Sequence, residues 1–93
     1  MFDPLLHQNI RSKLVSLLIS NSELPFKALK EALGVTDGNL SSHLAKLEKE
    51  DYIAIEKIFE GKRPKTIVSI TEVGQKAFQK YIDELKCFIE ACD

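Results

Sequence analysis

The stretch Thr36–Leu47, TDGNLSSHLAKL, decides how the chain is organised. Leu40, Leu44 and Leu47 fall at i, i+4 and i+7, the single apolar stripe of an anchored helix. Thr36 can cap its first turn by accepting an orphan backbone N–H, and Asp37 sets a negative charge against the positive end of the helix dipole. At about 100° per residue, Gly38, Ser42, Ala45 and Lys49 point away from the stripe. Asn39, Ser41 and Lys46 lie on the shoulders of that outer face. A solvated helix face usually carries long charged side chains. This one is small, polar and uncharged until Lys46, as if something broad and flat lies against it.

Just upstream, Pro25–Gly34 reads PFKALKEALG. Phe26, Leu29 and Leu33 make it a second short amphipathic helix, and Gly34 suits the left-handed residue after its end. Gly34-Val35-Thr36 then leaves the short connection expected of a helix-turn-helix, with Val35 plugging the elbow.

With 93 residues, 44% hydrophobic and 29% charged, the chain is expected to form one globular domain over 1–93. Its formal net charge of −1 gives no global electrostatic case for nucleic acid, so any such case must be local. No apolar run reaches the length of a membrane span. Met1-Phe2-Asp3-Pro4 lacks the basic start of a signal peptide, so a cytoplasmic location is expected. Cys87 and Cys92 are five apart, point in different directions and make no zinc pair. His7 and His43 have no catalytic partner in the sequence, and no glycine-rich phosphate loop is present. We therefore expect no enzyme, no metal and no cofactor.

Asp3-Pro4 reads as the cap and first residue of an opening helix, whose inner stripe is Leu6, Ile10, Leu14, Leu17 and Leu18. That helix should end near Ser20-Asn21-Ser22, and Glu23-Leu24 reads as a short extended piece. Beyond the central helix, Ile53–Phe59 is rich in branched and aromatic residues and reads as a strand, its inner face left open. Glu60–Pro64 reads as a turn, Lys65–Thr71 as a returning strand, and Thr71 as the cap of a last helix over Glu72–Ala91. The expected class is mainly α with a small β-hairpin, α+β, in the order α-(β)-α-α-β-β-α. The hairpin tip carries Lys62, Arg63 and Lys65, with Lys57 on the incoming strand. Glu56 and Glu60 partly offset them.

From about Leu24 to Phe78 the chain resembles the winged helix-turn-helix regulators of the multiple-antibiotic-resistance (MarR) and arsenical-resistance (ArsR) types. Leu40-Ser41-Ser42-His43-Leu44-Ala45-Lys46-Leu47 is similar to the S-x-H-L-x-x-L recognition helix of the second. Gly61-Lys62-Arg63 and Val68-Ser69-Ile70-Thr71-Glu72-Val73-Gly74 resemble the wing and the L-T-x-x-G start of the following helix in the first. There are departures. Glu50-Asp51-Tyr52-Ile53 stands where the family often has A-G-L-V, and aspartate takes the left-handed turn less readily than glycine, so a somewhat different helix exit is expected. The paired cysteines of arsenic-type metal sensors are absent from the recognition helix.

The resemblance implies a transcriptional regulator, a repressor, bound to double-stranded DNA. The central helix would enter the major groove, where each base pair shows its own donor and acceptor pattern. Gly38 would let the backbone approach. Asn39, Ser41 and Ser42 would reach bases or phosphates, Thr36 a phosphate, and His43 and Lys46 the backbone. Arg63 would reach the minor groove, and Lys62 and Lys65 would neutralise phosphates. Blander readings stand beside these: His43 as a half-buried packing residue, the serines as plain surface, the lysines as solubilising edge charges. The rival function is a winged-helix protein-docking module without DNA binding.

In the last helix, Phe78, Ile82, Leu85, Ile89 and Cys92 follow a heptad spacing, with Tyr81 and Phe88 on a second line. Two apolar lines point to a homodimer, with 72–92 as its dimerisation helix and Leu5 and Leu6 taking part; the blander reading is that both lines pack inside one subunit. Such a dimer would set two recognition helices ~34 Å apart.

Overall fold

The computed structural model describes residues 2–91. The elements run α1 (Asn9–Asn21), β1 (Glu23–Pro25), α2 (Phe26–Leu33), α3 (Asp37–Lys49), β2 (Ile53–Glu60), β3 (Arg63–Ile70) and α4 (Glu72–Ala91). The class and order are those read from the sequence. The short extended piece is a true strand: Glu23 faces Ser69, Leu24 faces Val68 and Pro25 faces Ile67, giving an antiparallel sheet in the order β1-β3-β2.

The opening helix differs from expectation. Asp3 does cap a turn, its Oδ1 accepting from the Leu5 amide at 2.9 Å and its carbonyl from the His7 amide at 2.8 Å. The turn then stops. Arg11 Nε donates to the Leu5 carbonyl at 2.7 Å, taking the acceptor that a continued helix would use four residues on. Gln8 is extended, with φ −146°, and its side chain accepts the Arg11 amide at 2.8 Å to start α1 afresh.

The core is built from the faces the spacing marked. Leu14, Val15 and Leu18 of α1, Leu29 of α2, Leu40, Leu44 and Leu47 of α3, and Ile53 and Val68 of the sheet are all buried. Each such side chain withdrawn from water contributes roughly 1.5–3 kcal/mol. Leu6 is fully buried here too, and Tyr81 is 7% exposed. Ile53 is buried and Ile55 half-buried, so the odd-numbered residues of β2 form its inner face.

The hairpin turn is tighter than expected. Glu60 pairs with Arg63 and Phe59 with Pro64, which leaves only Gly61 and Lys62 in the turn. Gly61 has φ +69°, a conformation that glycine adopts at little cost.

The exit of α3 is also a correction. Asp51 takes φ +61°, so the aspartate fills the left-handed position itself. The Asp51 amide donates to the Glu48 carbonyl at 2.9 Å and the Tyr52 amide to the Leu47 carbonyl at 3.0 Å, the paired bonds of a Schellman ending. The start of α4 seats directly on this exit. Thr71 donates through its amide to the Tyr52 carbonyl at 3.2 Å and through Oγ1 to the Asp51 carbonyl at 2.5 Å. The same Oγ1 accepts the Gly74 amide at 3.0 Å, capping α4 as the sequence implied. Among the described residues, no helix is long and apolar enough to cross a membrane.

Gly74 is where this junction is tightest. A Cβ there would stand 2.1 Å from the Tyr52 carbonyl oxygen and 2.8 Å from Ile70 Cδ1. Gly74→Ala should therefore destabilise the fold by about 2–3 kcal/mol, despite alanine's better helix propensity. Urea denaturation measures this, and an unchanged midpoint would mean that α4 does not bear on Tyr52.

Candidate nucleic-acid interface

α3 begins as its sequence dictates. Thr36 is extended, and its Oγ1 accepts the Asn39 amide at 3.1 Å. The stripe of Leu40, Leu44 and Leu47 pins one side of the helix to the core. The opposite side is open: Gly38, Asn39, Ser41, Ser42, Ala45 and Lys46 are exposed, so no other part of the described chain covers them. Asp37, which would repel a polyanion, pairs with Lys30 at 2.7 Å. Nothing in the fold lies within 4 Å of where a Gly38 Cβ would be. The fold itself thus places no steric demand for glycine at that position.

His43 is the half-buried member of the set, and its state follows from one contact. Arg11 Nη1 lies 3.2 Å from His43 Nδ1. A guanidinium has no acceptor, so Nδ1 must accept and the proton of the neutral ring sits on Nε2. Arg11 also donates to the Leu5 carbonyl at 2.7 Å and to the Pro4 carbonyl at 3.5 Å. One guanidinium therefore joins the N-terminal turn to α3. Burial, then the charges of Arg11 and Lys46, hold the His43 pKa below its usual 6.5. Sequence reading missed Arg11, because its partner is 32 residues away. Locally Arg11 looks like its neighbour Lys13, an ordinary cation near the start of the helix.

The wing divides the cations the sequence had grouped. Lys62 stands in the turn and Arg63 is exposed at the start of β3. Lys65 is half-buried and paired with Glu60 at 3.0 Å, so it is not a free charge. Two grooves border the wing. One of about 450 Å³ runs between α3 and the sheet, lined by Ser41, Ala45 and Glu48 on one wall and Ile55, Lys57 and Thr66 on the other. The second, about 530 Å³, lies between the start of α2 at Phe26 and Lys27 and the β3 residues Arg63–Thr66. Glu48 brings an acidic group into the first groove. Phe59, to which the sequence reading gave no part, stands 73% exposed on the wing.

The residues expected at a dimer interface fall into three groups. Leu6 and Tyr81 belong to the chain's own core and are withdrawn from the expected surface. Leu5 is half-buried, and Phe78, Ile82 and Leu85 are half-buried along a groove of about 480 Å³ with Leu17 and Leu33. Phe88 and Ile89 are 57% and 64% exposed. Cys92 lies outside the described residues. Phe2 packs edge-on against both Tyr81 and Phe88, and His7 shares a 3.1 Å hydrogen bond with the Tyr81 hydroxyl. Tyr52 donates its hydroxyl to Asp3 Oδ2; burial, then this bond, raises its pKa to about 12. Among the described residues, no group of three or more His, Cys, Asp or Glu side chains could hold a metal ion, and Cys87 is an exposed free thiol.

Residues 10–89 match the family described as winged helix DNA-binding domain. An uncharacterised protein of Methanocaldococcus jannaschii is 42% identical over 76 residues, covering 82% of this chain and 83% of that protein. A transcriptional regulator homologue from Pyrococcus horikoshii superposes with a TM-score of 0.90 at 29% identity, over 96% of this chain and 88% of that one. A MarR-family regulator from Silicibacter pomeroyi shares the fold, with a TM-score of 0.70 at 18% identity over 89% of this chain and 55% of that one.

The His43 geometry sets a pH dependence. With its folded pKa lowered, the folded state takes up the proton less readily than the unfolded chain. The associated stability is fully present above about pH 6.5 and is lost as pH falls through the lowered value. Between about pH 7.5 and pH 5, wild-type melting temperature should fall more than that of His43→Gln. Parallel curves for the two proteins would contradict a His43 pKa lowered by its burial and its cationic neighbours.

Proposed function

The chain belongs to the winged helix DNA-binding domain family, and from that premise we propose that it is a sequence-specific regulator of transcription acting as a repressor on double-stranded DNA. The observation that carries this reading is the bare outer face of α3. It is small-sided, uncovered by the rest of the described chain, and flanked by a wing with exposed cations at Lys57, Lys62 and Arg63. In this reading α3 lies in a major groove. Asn39, Ser41 and Ser42 contact base edges, and Thr36 and Lys46 contact phosphates. His43 offers its Nε2 proton to the backbone. Arg63 reaches the adjacent minor groove and Lys62 neutralises phosphate, with Lys65 contributing only where it leaves Glu60.

Gly38 separates function from folding. A bare Cα at an open helical site serves no internal packing, and alanine is the better helix former there by up to about 1 kcal/mol. Gly38→Ala should leave the melting temperature equal or higher while weakening binding to a duplex selected from a random DNA pool. Arg63→Ala should weaken binding and reduce the slope of log affinity against log salt by roughly one. Absence of any binding to mixed-sequence DNA at low salt would instead favour the protein-docking alternative.

The domain is proposed to act as a homodimer over 1–93, its α4 helices pairing through Phe88 and Ile89 and closing over Phe78, Ile82 and Leu85. Two exposed apolar residues near the end of a helix otherwise half-covered support this. Sedimentation should give twice the chain mass for the wild type and a single chain for Ile89→Glu; a monomeric wild type would remove the dimer.

A further inference from the structure

Phe59 is the most exposed large apolar side chain among the described residues, at 73%. Its position on the wing follows from the register. Ile53 faces Ile70 and Ile55 faces Val68, and these pairs lie toward the core. Every second pair of an antiparallel ladder shares a face. Lys57 with Thr66, and then Phe59 with Pro64, therefore continue the inner face outward along the wing. Lys57 and Thr66 line the groove whose far wall is α3. Phe59 extends that wall beyond the groove, toward the tip. Glu56, Ile58, Glu60, Arg63, Lys65 and Ile67 lie on the opposite face, where Lys65 is already paired with Glu60.

Resting on the DNA-binding reading, we infer that Phe59 is an apolar minor-groove contact, its ring packing against the sugar walls and a loosened base step beside the site read by α3. The surroundings choose the occupant. Lys57 shares its face, and Lys62 and Arg63 stand at the adjoining turn. Lysine is depleted from the centre of protein–protein interfaces, whereas a polyanion requires cations around any apolar point of contact. Directly across from Phe59 stands Pro64, and the neighbouring exposed Ile58 lies on the other face of the wing, so the Ile58 and Phe59 side chains do not join into one patch for a second copy. Apolar side chains on minor-groove proteins wedge between base steps, and pyrimidine–purine steps yield most readily.

The test uses the full chain, wild type and variants, with the duplex selected from a random pool. F59A should melt with the wild type, because the ring is exposed. It should bind about tenfold more weakly, with the salt slope unchanged, since an apolar contact releases no counterions. The chain has no tryptophan, so F59W introduces a single fluorophore whose emission should shift when duplex is added. Equal affinity of F59A and wild type, while R63A binds more weakly, overturns this inference and leaves the DNA-binding reading standing. A lowered salt slope in F59A, or an F59W emission that ignores DNA, also overturns it. Loss of self-association in F59A would assign the ring to a second copy instead. A wild type that binds no duplex overturns both readings.

Discussion

The structure turns on the shared backbone of two residues, Asp51 and Tyr52, between the end of α3 and the beginning of α4. Three separate parts of the chain meet there. The left-handed turn at Asp51 closes α3, the Thr71 amide and hydroxyl take the Tyr52 and Asp51 carbonyls, and Asp3 of the N-terminal turn accepts the Tyr52 hydroxyl. The approach is close enough that only glycine fits at position 74. Because the wing runs out from Ile53 and returns at Ile70, this same junction sets where α3, the wing and α4 stand relative to one another. An arrangement meant to press a helix and a hairpin on one rigid partner needs such a fixed point.

Around that point the two sides of α3 divide the work. Its leucine stripe supplies burial, and its outer side supplies reach. Small side chains leave the helix thin, Lys30 offsets Asp37, and the Arg11 contact fixes where the His43 proton sits. Arg11 also ties α3 to the N-terminal turn, which in turn packs against α4 through Phe2, His7 and Tyr81. The N-terminal residues thus bridge the proposed DNA-reading and pairing surfaces, although they form no regular element of their own.

Much of this was legible in the residues. The spacing of Leu40, Leu44 and Leu47, the Gly34 ending and the Thr36 and Thr71 caps are local signals, and each element they mark is present. What was not legible is non-local. Leu6 and Tyr81 carry the same apolar signal as the residues expected at an interface, and only tertiary packing shows that the chain itself covers them. The opening helix was misread because Arg11 takes the Leu5 carbonyl, a competition that no propensity records. The hairpin turn is shorter than its residues suggest, by Glu60 at its start and by Arg63 and Pro64 at its end, which look like turn residues until their pairing is known. Phe59 looked like ordinary strand composition, and its exposure appears only once the register is fixed.

The central claim is that the open side of α3 and the wing, at its tip and along the face that carries Phe59, meet DNA together. Amide chemical-shift mapping during titration with the selected duplex tests it most directly. The account predicts that the largest changes fall in residues 36–46 and 57–63, with α4 beyond Leu85 little affected. Changes confined to α4, with the amides of 36–46 undisturbed, would contradict it.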